Sequence, residues 1–265
     1  MRLYLPLALC SLLSALSPAR AQLGASVQPE ILRSVGIDQK LNEQLPLEAN
    51  FRDENGQTVA LQKFFGEKPV VIALVYYECP MLCTQVLNGL TEALRPLSFN
   101  VGDQFEVVTV SFDHRETPEL AAAKKKVYLE KYNRSGAENG WHFLTGDSLA
   151  IQQLTEAIGF RYKYDSFTKQ YAHASAIVVA TPQGKLARYF FGIEYPTRDL
   201  RFALIEAAEN RIGSVVDQVL MYCFHYDPTT GKYSLAVLNV LRVAGVATVL
   251  ALGTFMLVML RRERK

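Results

Sequence analysis

Residues 69–83 read Pro69-Val70-Val71-Ile72-Ala73-Leu74-Val75-Tyr76-Tyr77-Glu78-Cys79-Pro80-Met81-Leu82-Cys83. The run from Val70 to Tyr76 is unbroken, apolar and rich in β-branched residues, the pattern of a strand buried on both faces. A helix is expected next, because Leu82, Val86, Leu90 and Leu94 fall on one stripe between Met81 and Leu97. The first cysteine then lies in a strand-to-helix loop and the second in the opening turns of the helix. Unsatisfied amides and the dipole at a helix N-terminus lower a thiol's pKa and favour the thiolate that nucleophilic attack and metal ligation both require. Residues four apart share a helix face, close enough for a disulfide or for two ligands on one ion.

Outward from this stretch the chain alternates strand-like and helix-like blocks. Phe105–Phe112 is a second buried strand, and Thr117 as N-cap with Pro118 in the first turn opens a helix running to about Tyr132. Trp141–Thr145 reads as a short strand, and Asp147 or Ser148 caps a helix to Ile158. Ala176–Ala180 and Leu186–Phe191 flank Thr181-Pro182-Gln183-Gly184-Lys185, an antiparallel hairpin with a glycine turn. A last helix is expected over Thr197–Ile212. A β-α-β unit followed by a helix, a hairpin and a terminal helix makes an α/β sandwich with a mixed sheet, the thioredoxin-like order.

The two ends of the chain speak of a membrane. Arg2, the apolar run Leu3–Leu16 and Ala19-Arg20-Ala21 form a signal-peptide pattern, an uncleaved anchor being the alternative. Cys10 lies inside that apolar run and is set aside. Val243–Leu260 carries no charge and is followed by Arg261-Arg262-Glu263-Arg264-Lys265, the pattern of a stop-transfer helix with a basic cytoplasmic end. Leu235–Arg242 extends the span. The expected division is a signal peptide (1–21), an extended lead-in (22–47), one α/β domain (48–212), a juxtamembrane segment (213–234), a transmembrane helix (235–260) and a basic tail (261–265). A single-pass membrane protein follows, its domain on the extracytoplasmic side (periplasmic, if the membrane is the bacterial cytoplasmic one), where cysteines meet an oxidising space. The formal charge of +2 sits largely at the two ends, so the exported part is left near −4 by the same formal count. No nucleic-acid-binding patch is indicated.

Three residues separate Cys79 from Cys83, where a thioredoxin redox motif has two, and the wider bite suits metal ligation. Two soft thiolates with an imidazole suit Cu(I) and can also take Cu(II). A plain stabilising disulfide is the other reading of the pair. Several landmarks together resemble the Sco/SenC family: Cys79-Pro80-Met81-Leu82-Cys83 after a valine-rich strand, Ser111-Phe112-Asp113 with Thr117-Pro118-Glu119, Trp141-His142-Phe143-Leu144-Thr145-Gly146, and His173-Ala174-Ser175 before a strand and the Gly184 turn.

They occur in the family's order across about Glu48–Ile212. The resemblance implies a thioredoxin-fold copper protein that helps build the dinuclear copper centre of cytochrome c oxidase, with Cys79, Cys83 and His173 as metal ligands. Implied partners are the copper-bearing oxidase subunit and other copper-delivery or thiol-redox proteins. The chain departs from the family in one place. Where an acidic residue often precedes the histidine, this chain has Ala172, so the imidazole needs another partner, and Asp165 and Tyr171 are the nearby candidates. His114 and His142 read as surface or packing residues.

Tyr222-Cys223-Phe224-His225-Tyr226-Asp227-Pro228, between the last helix and the span, resembles a segment of a membrane-tailed bacterial branch of the family. In an extended strand Cys223 and His225 would point the same way and could serve as accessory ligands. An interfacial segment with Tyr222 and Tyr226 at the headgroups is the alternative. Three functions stay open: a copper metallochaperone, a thiol-disulfide oxidoreductase with Cys79 attacking and Cys83 resolving, and an assembly factor in which the disulfide is structural. A peroxidase is disfavoured, because the Thr-x-x-Cys context is absent and Tyr76 stands in its place.

Overall fold

The computed structural model describes residues 34–79, 82–212, 226–227, 232–233 and 235–263. The expected signal peptide, Pro80, Met81, Cys223 and His225 lie outside the described residues. β1 (Gly36–Ile37) and a hairpin of β2 (Asn50–Arg52) with β3 (Thr58–Ala60) precede a turn of 3-10 helix at Leu61–Phe64. β4 (Val70–Val75) is buried at every residue, as its unbroken apolar run requires. α1 (Leu82–Leu94) follows, and Pro96 disfavours helical backbone at Arg95, so the helix stops short of the expected Leu97.

β5 (Glu106–Ser111), α2 (Pro118–Tyr132), β6 (Trp141–Leu144) and α3 (Ser148–Ile158) continue the alternation. Thr117 is the N-cap of α2 by position, but its hydroxyl makes no cap bond to the helix. Asp147 caps α3 outright, its Oδ1 accepting the Ala150 amide at 2.8 Å.

A hairpin absent from the sequence reading comes next: β7 (Phe160–Asp165) and β8 (Gln170–His173), turning through Lys169 at φ 57°. The expected hairpin forms as β9 (Ala176–Ala180) and β10 (Leu186–Phe191) around Gly184. α4 (Thr197–Ala208) ends four residues before the expected Ile212, where Asn210 adopts φ 57°, a left-handed conformation that no helix continues through.

The main sheet runs β10-β9-β4-β5-β6, with β4, β5 and β6 parallel and β9 antiparallel to both β4 and β10. It is the mixed sheet expected of a thioredoxin-like fold. Pairing of Val75 with Ser111 sets the C-terminal ends of β4 and β5 side by side. In open α/β sheets that edge, just beyond the strand ends, is where sites are built. Residues expected as lead-in are strung along the fold: β1 pairs with β7, and Leu45 is buried beside Gly184, whose carbonyl accepts its amide at 2.9 Å.

β11 (Tyr226–Asp227) and β12 (Lys232–Tyr233) form a two-residue ladder shortly before the last helix. α5 (Leu235–Glu263) is one continuous helix, long and apolar enough over Gly245–Arg262 to cross a membrane. Val249, Leu250, Leu252 and Phe255 are all exposed on it, as a lipid-facing helix would have them.

The seat of α1, the helix that carries Cys83, is set by Gly89. A Cβ there would lie 1.8 Å from the Ile193 carbonyl oxygen. Alanine normally favours a helix over glycine by about 1 kcal/mol, yet here the clash must displace backbone, a cost of about 1–3 kcal/mol or more. Gly89→Ala is therefore expected to destabilise. The midpoint of urea unfolding of the detergent-solubilised protein, followed by fluorescence of its single tryptophan, the fully buried Trp141, should fall relative to wild type. A midpoint raised by the substitution would contradict this packing.

Candidate metal centre

Two sulfurs and one imidazole meet where β4 ends. Cys79 stands in the loop after the strand, Cys83 is the second residue of α1, and His173 is the last of β8. Their ligand atoms all lie within 4.8 Å of one another, and no other such cluster of three occurs among the described residues. Both cysteines are buried free thiols. Bonds of about 2.0–2.3 Å to a single ion would set its donors roughly 3.5–4.5 Å apart, the scale on which these three stand. The site is thus built from two distant pieces, and the β7–β8 hairpin brings in the second.

The hairpin presents the correct nitrogen. Nδ1 of His173 lies 2.8 Å from the Ala174 carbonyl oxygen. A carbonyl only accepts, so Nδ1 carries the proton and Nε2 keeps its lone pair. Nε2 faces the site, 3.3 Å from the Cys83 sulfur. The partner that a preceding acidic residue would supply is therefore a backbone oxygen. Neither sequence candidate fills that role: Asp165 accepts from the Phe167 amide and the Thr168 hydroxyl, and the Tyr171 hydroxyl donates to Asp113. Tyr76, Phe112 and Phe160 collar the imidazole, with ring centroids 5.9, 5.1 and 6.2 Å away. Such apolar walls fix the ring and exclude water.

The sequence marks Tyr76 only as an argument against a peroxidase, yet it contacts two of the three donors. Its amide donates to the Cys83 sulfur at 3.3 Å and its ring packs edge-on against His173, with the Cys79 thiolate nearby. Burial and that thiolate raise the phenol's own pKa. Below it, Glu116 accepts the Tyr77 and Glu78 amides, each at 2.7 Å, and the Ser111 hydroxyl at 2.5 Å. Beside the site lies a cleft of about 280 Å³ lined by Tyr76, Glu78, Arg115, Lys169 and Tyr171, and by none of the three donors. A larger depression at Lys40, Glu43 and Glu156 contains no cysteine or histidine. His142 lies apart, paired with Glu106 at 3.4 Å and packed on Phe64, and His114 is exposed.

The two thiols differ sharply. Donation from Cys83, and after it from the Cys83 amide, outweighs desolvation and draws Cys79 down to about 3. Burial, and after it the bond to Cys79, pushes the Cys83 thiol far up. The reduced pair therefore holds one proton across the neutral range, on Cys83, between a thiolate and an imidazole lone pair.

Fold and centre together define a thioredoxin-fold protein with a two-sulfur, one-imidazole site. The SCO1/SenC family model matches residues 39–207, and the chain belongs to that family. Among solved structures, a protein of Aquifex aeolicus VF5 described as functioning in electron transfer superposes with TM-score 0.57 at 24% identity, over 65% of this chain and 96% of that one. A SCO1/SenC family lipoprotein of Bacillus anthracis gives 0.52 at 18%, over 65% and 99%. ScoI of Arabidopsis thaliana with copper bound gives 0.51 at 15%, over 64% and 99%. No curated protein matches the chain.

The sign of the Cys79 shift yields a test. A group lowered from about 8.5 to about 3 is ionised at every pH between. Thiolate absorbance of the reduced, metal-free protein should correspond to one thiolate per chain from about pH 5 to about pH 8. Cys79→Ser should abolish it, and Cys83→Ala, which removes the principal donor, should return Cys79 toward the ordinary thiol range. Absorbance that rises only above about pH 8 in the wild type would contradict the asymmetry.

Proposed function

We propose that Cys79, Cys83 and His173 bind one copper ion as cargo, and that the protein hands it to the copper-bearing subunit of cytochrome c oxidase. The observation that carries the reading is the convergence of two sulfurs with an imidazole whose Nδ1 proton is already committed to the Ala174 carbonyl. The donor set fits the ion: thiolates are soft ligands that select Cu(I), and neutral imidazole takes either oxidation state. Membership of the SCO1/SenC family supports the oxidase as destination, and the Arabidopsis relative of the same fold was crystallised with copper.

Copper supplies only an exchangeable electrophilic centre; the rest belongs to the chain. The Cys79 thiolate stands ready as first ligand, Cys83 gives up its proton as the ion arrives, and Nε2 closes the site. The aromatic collar keeps water out. An acceptor's ligands approach through the cleft at Glu78 and Lys169 and displace the donors one at a time. A helix of the length and character of α5 holds donor and acceptor in one membrane. The signal-peptide and basic-tail patterns put the domain on the periplasmic side, with residues 213–234 as the tether. Cys223 and His225 are accessory ligands in this scheme.

The asymmetry of the thiols favours a second role for the same pair. A thiolate at Cys79 attacks a partner disulfide, one partner sulfur leaves as thiolate, and Cys83 then resolves the mixed disulfide. Two electrons pass to the partner, and Cys79–Cys83 becomes the disulfide. Reducing an acceptor's cysteines this way would prepare them for copper.

Copper titration of the reduced, detergent-solubilised full chain separates the readings. Wild type should bind one Cu(I) per chain, and His173→Ala and Cys83→Ser should each weaken binding by at least about tenfold, the scale of one lost ligand. Unchanged binding in His173→Ala would remove the imidazole from the centre. Dithiol reductase activity indifferent to His173, without stoichiometric copper, would favour the redox role. Cys223→Ser should keep one Cu(I) per chain and alter the spectrum, and an unchanged spectrum would remove Cys223 from the scheme.

A further inference from the structure

Glu116 contributes no atom to the metal centre and sits 37 residues beyond Cys79 in the chain, yet its carboxylate is built into the loop that holds that sulfur. Oε1 accepts the Glu78 amide and Oε2 the Tyr77 amide, both at 2.7 Å. Oε2 also accepts the Ser111 hydroxyl from the end of β5. Burial raises the carboxyl's pKa above its ordinary value, while the two amides, which can only donate, bond one to each oxygen and favour the carboxylate. Those partners are neutral, and the adjacent guanidinium of Arg115 is taken by Asp113, at 2.6 and 2.8 Å. In its carboxylate form Glu116 sets a negative charge against the backbone immediately before Cys79.

We propose that Glu116 is a positioning residue of the centre: it fixes the Cys79 loop through two amides, and its charge biases the site toward the more highly charged copper ion. This rests on the copper reading above. The sign follows from counting charge. Two thiolates, a neutral imidazole and Cu(I) make a site of net −1, whereas the same donors with Cu(II) make a neutral one. A fixed anion nearby disfavours the first relative to the second. Tethering by geometry alone would change both affinities together and leave their ratio where it was.

Cu(I) and Cu(II) affinities of the full chain in detergent, each measured against a competing chromophoric chelator, test this in wild type, Glu116→Gln and Glu116→Asp. In Glu116→Gln the ratio of Cu(I) to Cu(II) affinity should rise by about tenfold, the scale of one charge across a few ångströms of partly buried protein. Glu116→Asp keeps the charge but not the reach, so both affinities should fall while the ratio stays within about twofold of wild type on the same argument.

A copper-free measurement accompanies these. Reaction of Cys79 with iodoacetamide at one pH should change in both variants, because the loop is loosened in both. An unmoved ratio in Glu116→Gln, or identical ratios in the two variants, overturns the proposal. If Trp141 fluorescence shows Glu116→Gln unfolded, Ser111→Ala takes its place: removing one donor leaves the charge more exposed and should move the ratio the opposite way, and an unmoved ratio again overturns the proposal. Wild type that binds no copper through His173 would instead refute the reading on which this one rests.

Discussion

Between Val75 and Cys83 the backbone leaves a strand buried on both faces and enters a helix, and there its amides have neither a ladder nor a helical carbonyl to bond. Buried amides must nevertheless be satisfied. The Cys83 sulfur takes the amide of Tyr76, Glu116 takes those of Tyr77 and Glu78, the Tyr76 carbonyl takes that of Cys79, and the Cys79 sulfur takes that of Cys83. The sulfurs are therefore part of the junction's hydrogen bonding as well as its chemistry. A strand-to-helix turn that needs acceptors has recruited two sulfurs and a carboxylate, and the sulfurs face the side on which β8 delivers His173.

The same bonds make the pair unequal. Cys79 lies where donors converge, and Cys83 lies deeper and supplies one of them, so a single proton serves three donors. For a cation this is a poised arrangement: one ligand is charged, one is neutral with its lone pair free, and one needs only to release a proton. For a disulfide substrate it is equally poised, because attack and resolution fall to different sulfurs. Cargo binding and thiol exchange are thus two uses of one geometry, and oxidation of the pair would end the first.

The strand, the loop cysteines, the α1 stripe, the Asp147 cap and the Gly184 hairpin were legible because each is a local pattern of a few residues. The β7–β8 hairpin was missed although Phe160, Tyr162 and Tyr164 alternate with Arg161, Lys163 and Asp165, a period of two that signals a half-exposed strand. His173 could be placed by family resemblance alone, since 90 residues of sequence separate it from the Cys83 it meets. The partner of its imidazole was sought among side chains and is a backbone carbonyl, which no sequence marks. Tyr76 stands in the deciding stretch, but its contacts with Cys83 and His173 depend on how the junction folds. Glu116 reaches that junction only because β4 and β5 end in register, a pairing that one sequence does not disclose.

X-ray absorption at the copper edge of the reduced, Cu(I)-loaded full chain puts the account to its most direct trial. The centre described here predicts two sulfurs at about 2.3 Å and one imidazole nitrogen at about 2.0 Å, with the nitrogen lost and both sulfurs kept in His173→Ala. A first shell of two sulfurs alone in the wild type, or one that is the same with and without His173, would contradict it.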